Sequence, residues 1–291
     1  MIFLLLSILC STAIYAIFKL FSRYGINTFP AIVANYYVAS GFGFLYAFSD
    51  ESMTSAGIES WILSAAMVGI LFISLFYLMA ITSQKHGVAV TGIATKMSMV
   101  IPALFFMISD TDESWHPIKI AGISIGIVAV ILTTVSGKNN KASQSGVLIP
   151  IFLFIGSGLL DLILAYTEKE FLFTEVSQKL FVPIPFGIAA IIGTIVLLIR
   201  FFNGNVKIKA RDMAAGLFLG LVNYGSIYFL LRILGSDLLD RSEVIPANNM
   251  GVVALSAIAG VLLFKERTDG RKLLGIILAL IAILLLTYFS A

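Results

Sequence analysis

The sequence predicts an all-α integral membrane protein with ten transmembrane helices arranged as two inverted five-helix repeats. Three observations predict it. Of 291 residues, 59% are hydrophobic and 12% charged, and the mean hydropathy is +1.02; a soluble domain carries about twice that share of charge. The apolar residues fall in continuous runs of about 20, the length at which a helix crosses a bilayer. Residues 90–135 also recur as 243–288, so that at an offset of 153 Ala94 meets Ala247, Met97 meets Met250, Glu113 meets Glu266 and Gly122 meets Gly275.

The ten runs lie at about 2–22, 28–48, 60–82, 87–109, 116–136, 147–167, 176–201, 210–234, 241–264 and 269–289. Strands would alternate apolar and polar residues, so runs this continuous read as helices. The first run is apolar enough for a signal peptide. No basic residue precedes it, however, and Lys19 and Arg23 follow it, which marks a retained span. Cys10 is the single cysteine and excludes an internal disulfide or a cysteine-based metal cage. The most polar link, Gly137 to Ser145, divides the chain into repeats 1–140 and 141–291.

Five spans are an odd number, so the second repeat enters the membrane upside down. The charges agree. Thirteen of the 19 Lys and Arg residues sit in or beside links after spans 1, 3, 5, 7 and 9, five beside the other links, and Lys96 lies inside a span. The positive-inside rule makes the odd-numbered links cytoplasmic and both termini extracytoplasmic. Short links and one cysteine fit a bacterial inner membrane. Close helix packing is expected at Gly122 with Gly126, at Gly216 with Gly220 and at Gly156 with Gly158.

Lys96 is the most informative residue. It stands about eight residues into span 4, or roughly 12 Å from the nearer end. A lysine at such depth costs about 2.5–3.5 kcal/mol on insertion scales, so it needs an internal partner. It reads either as an anchor for a substrate anion or as a permanent pair with Asp161 or a backbone carbonyl. Pro102 removes a helical hydrogen bond nearby. The offset places Asn249 at the equivalent position in the second repeat, beside Asn248 and three residues after Pro246. Two amides suit a zwitterionic or polyhydroxyl ligand; interhelical hydrogen bonding is the alternative.

Asp161 reads as a proton-coupling group, as the counter-ion of Lys96 in an empty carrier, or as a solvated vestibule acid. Arg232 and Glu243 flank the link between spans 8 and 9, as an outer gate or as a solvated pair. Tyr15, Asn35, Tyr36, Asn223 and Tyr224 lie at mid-span depth, to line a pocket or simply to pack. Pro183 and Pro185 imply a bend in span 7.

The ten-span plan, Lys19 near the end of span 1, and the patterns Glu113 to Gly122 and Glu266 to Gly275 resemble the drug/metabolite transporter superfamily, most closely its EamA-like branch. The resemblance covers essentially the whole chain and rests on plan and spacing. It departs at Cys10–Tyr15 (CSTAIY), where the family often has a tryptophan-glycine pair, and at Asn248–Val252 (NNMGV), where it often has an acid-proline pair. The charges also oppose the family's usual N-inside orientation. The resemblance implies an integral-membrane carrier that exports amino acids or other small metabolites.

The expected partners are therefore a small amphipathic substrate with an anionic group, the bilayer, and protons if transport is coupled. No concentrated basic face points to nucleic acid. No P-loop, nucleotide fingerprint or catalytic motif is present, and no cofactor is expected. His86 and His116 fall at opposite faces, so no shared metal site is expected either. The contrasting function is a membrane-embedded enzyme acting on lipids, or a scaffold that transports nothing.

Overall fold

The computed structural model describes residues 1–48, 61–109, 117–134, 144–172, 174–235, 241–266 and 268–288. Among the described residues every regular element is a helix: α1 (Ile2–Tyr24), α2 (Thr28–Ala47), α3 (Ile62–His86), α4 (Val88–Met97), α5 (Val100–Ser109), α6 (Pro117–Thr134), α7 (Gln144–Phe171), α8 (Glu175–Phe181), α9 (Pro183–Phe202), α10 (Ala210–Leu234), α11 (Arg241–Leu262) and α12 (Gly270–Tyr288). The protein is an all-α membrane protein. Eight segments among the described residues are long and apolar enough to cross a bilayer: α1, α3, Val88–Ser109, α6, Val147–Phe171, Val176–Phe202, α10 and Val244–Leu262. α2 and α12, expected as the second and tenth spans, are helices outside that set. In α2 the apolar character is diluted by Pro30, Asn35, Tyr36, Tyr37 and Ser40.

Two expected spans are interrupted. Span 4 breaks at Ser98–Met99 into α4 and α5. Pro102 stands four residues past Ser98, so its ring would strike the Ser98 carbonyl and it has no N–H to donate. That carbonyl instead accepts the tighter bond from Ile101 N at 2.9 Å. Span 7 breaks at Val182, with Pro183 at the first position of α9, where a missing N–H is harmless. Pro246 lies inside α11 without breaking it.

The chain divides into two compact units, each drawing on both sequence halves: Met1–Leu20, Leu78–Leu159 and Gly225–Ala291 in the first, Phe21–Tyr77 and Leu160–Tyr224 in the second. In the first unit α6 and α12 run antiparallel through glycines. A Cβ on Gly122 would lie 3.0 Å from Leu286 Cγ, and one on Gly126 3.6 Å from the Ala282 Cβ; Gly275 in turn lies against Ala129 and Thr133. α4 runs antiparallel along α11, with Gly92 against Ser256. Ile93, Met97, Ala129, Val253, Ala282 and Ile283 fill the core between these helices. α1 joins them, with Ile8 against Gly251 and Tyr15 against Gly92. Side chains this small let backbones approach, which is what holds helices together where lipid supplies no hydrophobic drive.

In the second unit α2 packs antiparallel on α9, Gly43 meeting Pro183 and Gly193 meeting Val33. α2 also runs alongside α10, where Gly216 meets Ala31 and Gly220 meets Val38. Both expected glycine pairs with four-residue spacing therefore sit at close approaches. Gly158 does too, against Ile101 in the first unit. The rings of Tyr36, Phe72, Phe76 and Phe186 pack together in the core of the second unit.

Candidate functional site

The break after α4 sets the chemistry of the first unit. It ends a helix inside a segment apolar enough to span the membrane, so the partial negative end of α4 has no water to face. Lys96 stands in that last turn, where a cation offsets the exposed carbonyl dipoles. It is half-buried and engaged by a neighbour. The adjacent hydroxyls are used to tie the frayed end. Ser98 Oγ donates to the Thr95 carbonyl at 2.7 Å, and Thr95 Oγ1 donates to the Thr91 carbonyl at 2.8 Å. Since Thr95 has spent its proton, the 2.8 Å contact between Tyr15 and Thr95 is a bond donated by the Tyr15 hydroxyl. Of the expected aromatic lining residues, Tyr15 is thus the one tied to the helix that carries Lys96.

The other wall is α11. Asn249 is buried, and its Nδ2 lies 3.7 Å from the sulfur of Met99, three residues past Lys96. Asn249 therefore packs against the segment that follows α4. A thioether is a weak acceptor, so the Asn249 amide keeps most of its hydrogen-bonding capacity. Asn248 Oδ1 and Thr12 Oγ1 are buried in the same unit and make no hydrogen bond among the described residues. An unmet buried polar atom costs about 1–3 kcal/mol.

The remaining expected residues fall elsewhere. In the second unit Tyr36 is fully buried, and its hydroxyl donates to the Phe72 carbonyl at 2.6 Å. Its ring packs against those of Phe72, Phe76 and Phe186. Asn35 is fully buried with neither amide atom hydrogen-bonded among the described residues. Asn223 is buried beside half-buried Tyr224, whose ring packs on Phe42 at 5.5 Å. Asp161 is half-buried in α7 and engaged by a neighbour. Arg232 lies over the Phe3 ring at 5.5 Å, and the side chain of Glu243 lies outside the described residues.

A second polar group of the first unit closes the start of α4. Glu266 Oε1 accepts the Val88 N–H at 2.7 Å, and its Oε2 pairs with Lys272 Nζ at 3.2 Å, both side chains nine-tenths buried or more. Gly87, at φ +103°, and Gly260 leave room for the carboxylate, since a Cβ at either would strike it. Asp269 caps α12 by accepting from Lys272 N at 2.9 Å. Lys19 Nζ donates to the Gln84 carbonyl at 2.9 Å and lies within electrostatic reach of Glu266 and Lys272. Lys19 and Glu266 were visible in the sequence as a pattern; the capping of α4 was not, because its two partners are 178 positions apart.

No family model matches this chain. It is 27% identical over 298 aligned positions, 99% of this chain and 98% of the relative, to an uncharacterized protein of Haemophilus influenzae. A solved crystal structure of a protein shares its fold with a TM-score of 0.62, at 11% identity, covering 98% of this chain and 99% of that one.

Proposed function

We propose that this chain is a secondary transporter, similar to the EamA-like branch of the drug/metabolite transporters, with ten spans in two inverted repeats. Shifting the first half by 153 supports the repeat. α4 and α5 (88–109) fall on 241–262, the range of α11, and α6 (117–134) falls on 270–287 of α12. α2 (28–47) falls on 181–200, within two residues of the range of α9. Each of these pairs packs antiparallel. Gly122 meets the helix of Gly275, and Gly275 meets the helix of Gly122. Such reciprocity is what a two-fold axis in the membrane plane produces.

The observation that carries the transport reading is the α4–α5 break beside Lys96, set against Asn248 and Asn249 of α11. Discontinuous helices that carry polar groups at the repeat junction are how such carriers build a site within the bilayer. The substrate is a small amphipathic metabolite, amino-acid-like, whose anionic group meets Lys96 while its donors meet Asn248 and Asn249. Alternating access of the two repeats exposes that site to one side at a time. With no nucleotide motif in the chain, transport is facilitative or ion-driven, and Asp161 is the candidate proton carrier. The bacterial relative and the link charges support an inner-membrane location with both termini outside.

A thermal-shift screen of amino acids, sugars and phosphorylated metabolites on the purified protein tests this reading. Stabilisation by one class, lost in Lys96→Ala, is the expected result. Stabilisation that survives Lys96→Ala removes Lys96 from the site.

A further inference from the structure

At one end of the second unit, the α1–α2 link and the α9–α10 link are stitched together. Arg211 Nη2 donates to the Gly25 carbonyl at 2.6 Å, and the Asn27 N–H donates to Asp212 Oδ1 at 3.0 Å. Arg200 lies over the Phe29 ring at 4.7 Å. These contacts gather Arg23, Arg200, Lys207, Lys209 and Arg211, of which all but the half-buried Arg200 are exposed. The acid among them, Asp212, is 1% exposed and already committed to Asn27 and Arg211. Among the described residues the basic side chains gathered here therefore outnumber the acid that pairs with one of them. Tyr24 and Phe202 stand beside it, 65% and 79% exposed.

Charges destined for bulk water do not need exposed aromatic rings beside them. Rings at span ends sit at headgroup depth, which is where a phosphodiester charge is found and where basic clusters attract anionic lipid. We infer that this end of the second unit is a binding surface for anionic phospholipid headgroups, with Lys207 and Lys209 as its solvent-reaching cations and Tyr24 and Phe202 as its interfacial anchors. Arg211 and Arg200 have a second duty, since both also tie the two links together. The surface is independent of the transport reading.

Native mass spectrometry of the full chain, titrated with phosphatidylglycerol or phosphatidylcholine in detergent, tests the inference. The expected result is preferential retention of phosphatidylglycerol, weakened about fivefold for each lysine removed and so about twenty-five-fold in the Lys207→Gln/Lys209→Gln variant. Lys169→Gln, at a different link, serves as the control and keeps the preference. An unchanged melting temperature in the double variant separates lost binding from lost fold, because both lysines are exposed. Equal retention of the two lipids overturns the inference, as does a preference that the double variant preserves. Displacement of the lipid by millimolar inorganic phosphate also overturns it, by making free phosphate the ligand.

Discussion

The Val88 N–H donates to Glu266 Oε1 at 2.7 Å, so a carboxylate between α11 and α12 holds the first turn of α4. The same carboxylate neutralises Lys272, which is 4% exposed. Removing one member of a buried ion pair strands the other, typically at about 3–5 kcal/mol. Glu266→Gln is isosteric and keeps an acceptor for Val88, which puts its expected loss near the lower figure. Thermal melting measures it, and Glu266→Gln/Lys272→Met recovers part of the loss because no charge remains buried. A single variant that melts like the parent contradicts the pairing.

Gly122 on α6 and Gly275 on α12 both sit where the two helices approach closely, yet their surroundings differ. A Cβ on Gly275 would lie 3.1 Å from the Ala129 carbonyl oxygen and 3.2 Å from Thr133 N, whereas the atoms nearest one on Gly122 belong to the side chains of Leu285 and Leu286. Backbone cannot step aside as a leucine can. Gly275→Ala is therefore expected to destabilise by about 1–3 kcal/mol, and Gly122→Ala by less. Denaturation midpoints in the same detergent decide the order; equal losses would mean that the helices separate freely.

Tyr15 and Tyr36 make opposite predictions. Tyr36→Phe removes the hydrogen bond to the Phe72 carbonyl and should lower stability by about 1 kcal/mol while leaving ligand affinity unchanged. Tyr15→Phe removes the bond that fixes Thr95 beside Lys96, so it should weaken ligand-induced stabilisation more than it weakens the fold. Melting curves with and without ligand read both effects. Reversed outcomes would relocate the site to the second unit.

Pro102→Ala restores the α-helical N–H donor to the Ser98 carbonyl, which now takes the tighter bond from Ile101 N, and permits α4 and α5 to join. The variant should melt at or above the parent temperature yet lose ligand-induced stabilisation, since a joined helix no longer presents its open end near Lys96. Full ligand response in Pro102→Ala would make the break incidental.

Much of this was legible in the sequence because lipid leaves few options. Continuous apolar runs must be helices, and Pro102 and Pro183 mark breaks that the structure places at Ser98–Met99 and Val182. Pro246 gave no break. It stands in the second turn of α11, where it deprives only a carbonyl near the helix start of its donor. Mid-span tyrosines were ambiguous for a physical reason: Tyr15 and Tyr36 have the same composition and depth, and only the partner of each hydroxyl separates them. Long-range polar contacts such as Val88 with Glu266 leave no periodic trace. Neither does the gathering of Arg23, Arg200 and Arg211, which the chain brings together from positions nearly two hundred residues apart.

The proposed inverted repeat underlies the reading of Lys96 and Asn249 as one site, and sidedness tests it most directly. Single cysteines placed at Thr111 and Thr268, on a Cys10→Ser background, lie in the equivalent links of the two halves. Labelling of intact cells with a membrane-impermeant thiol reagent should modify Thr111→Cys from outside and leave Thr268→Cys protected until the membrane is opened. Modification of both from the same side would contradict the opposed insertion of the two halves, and with it the shared site.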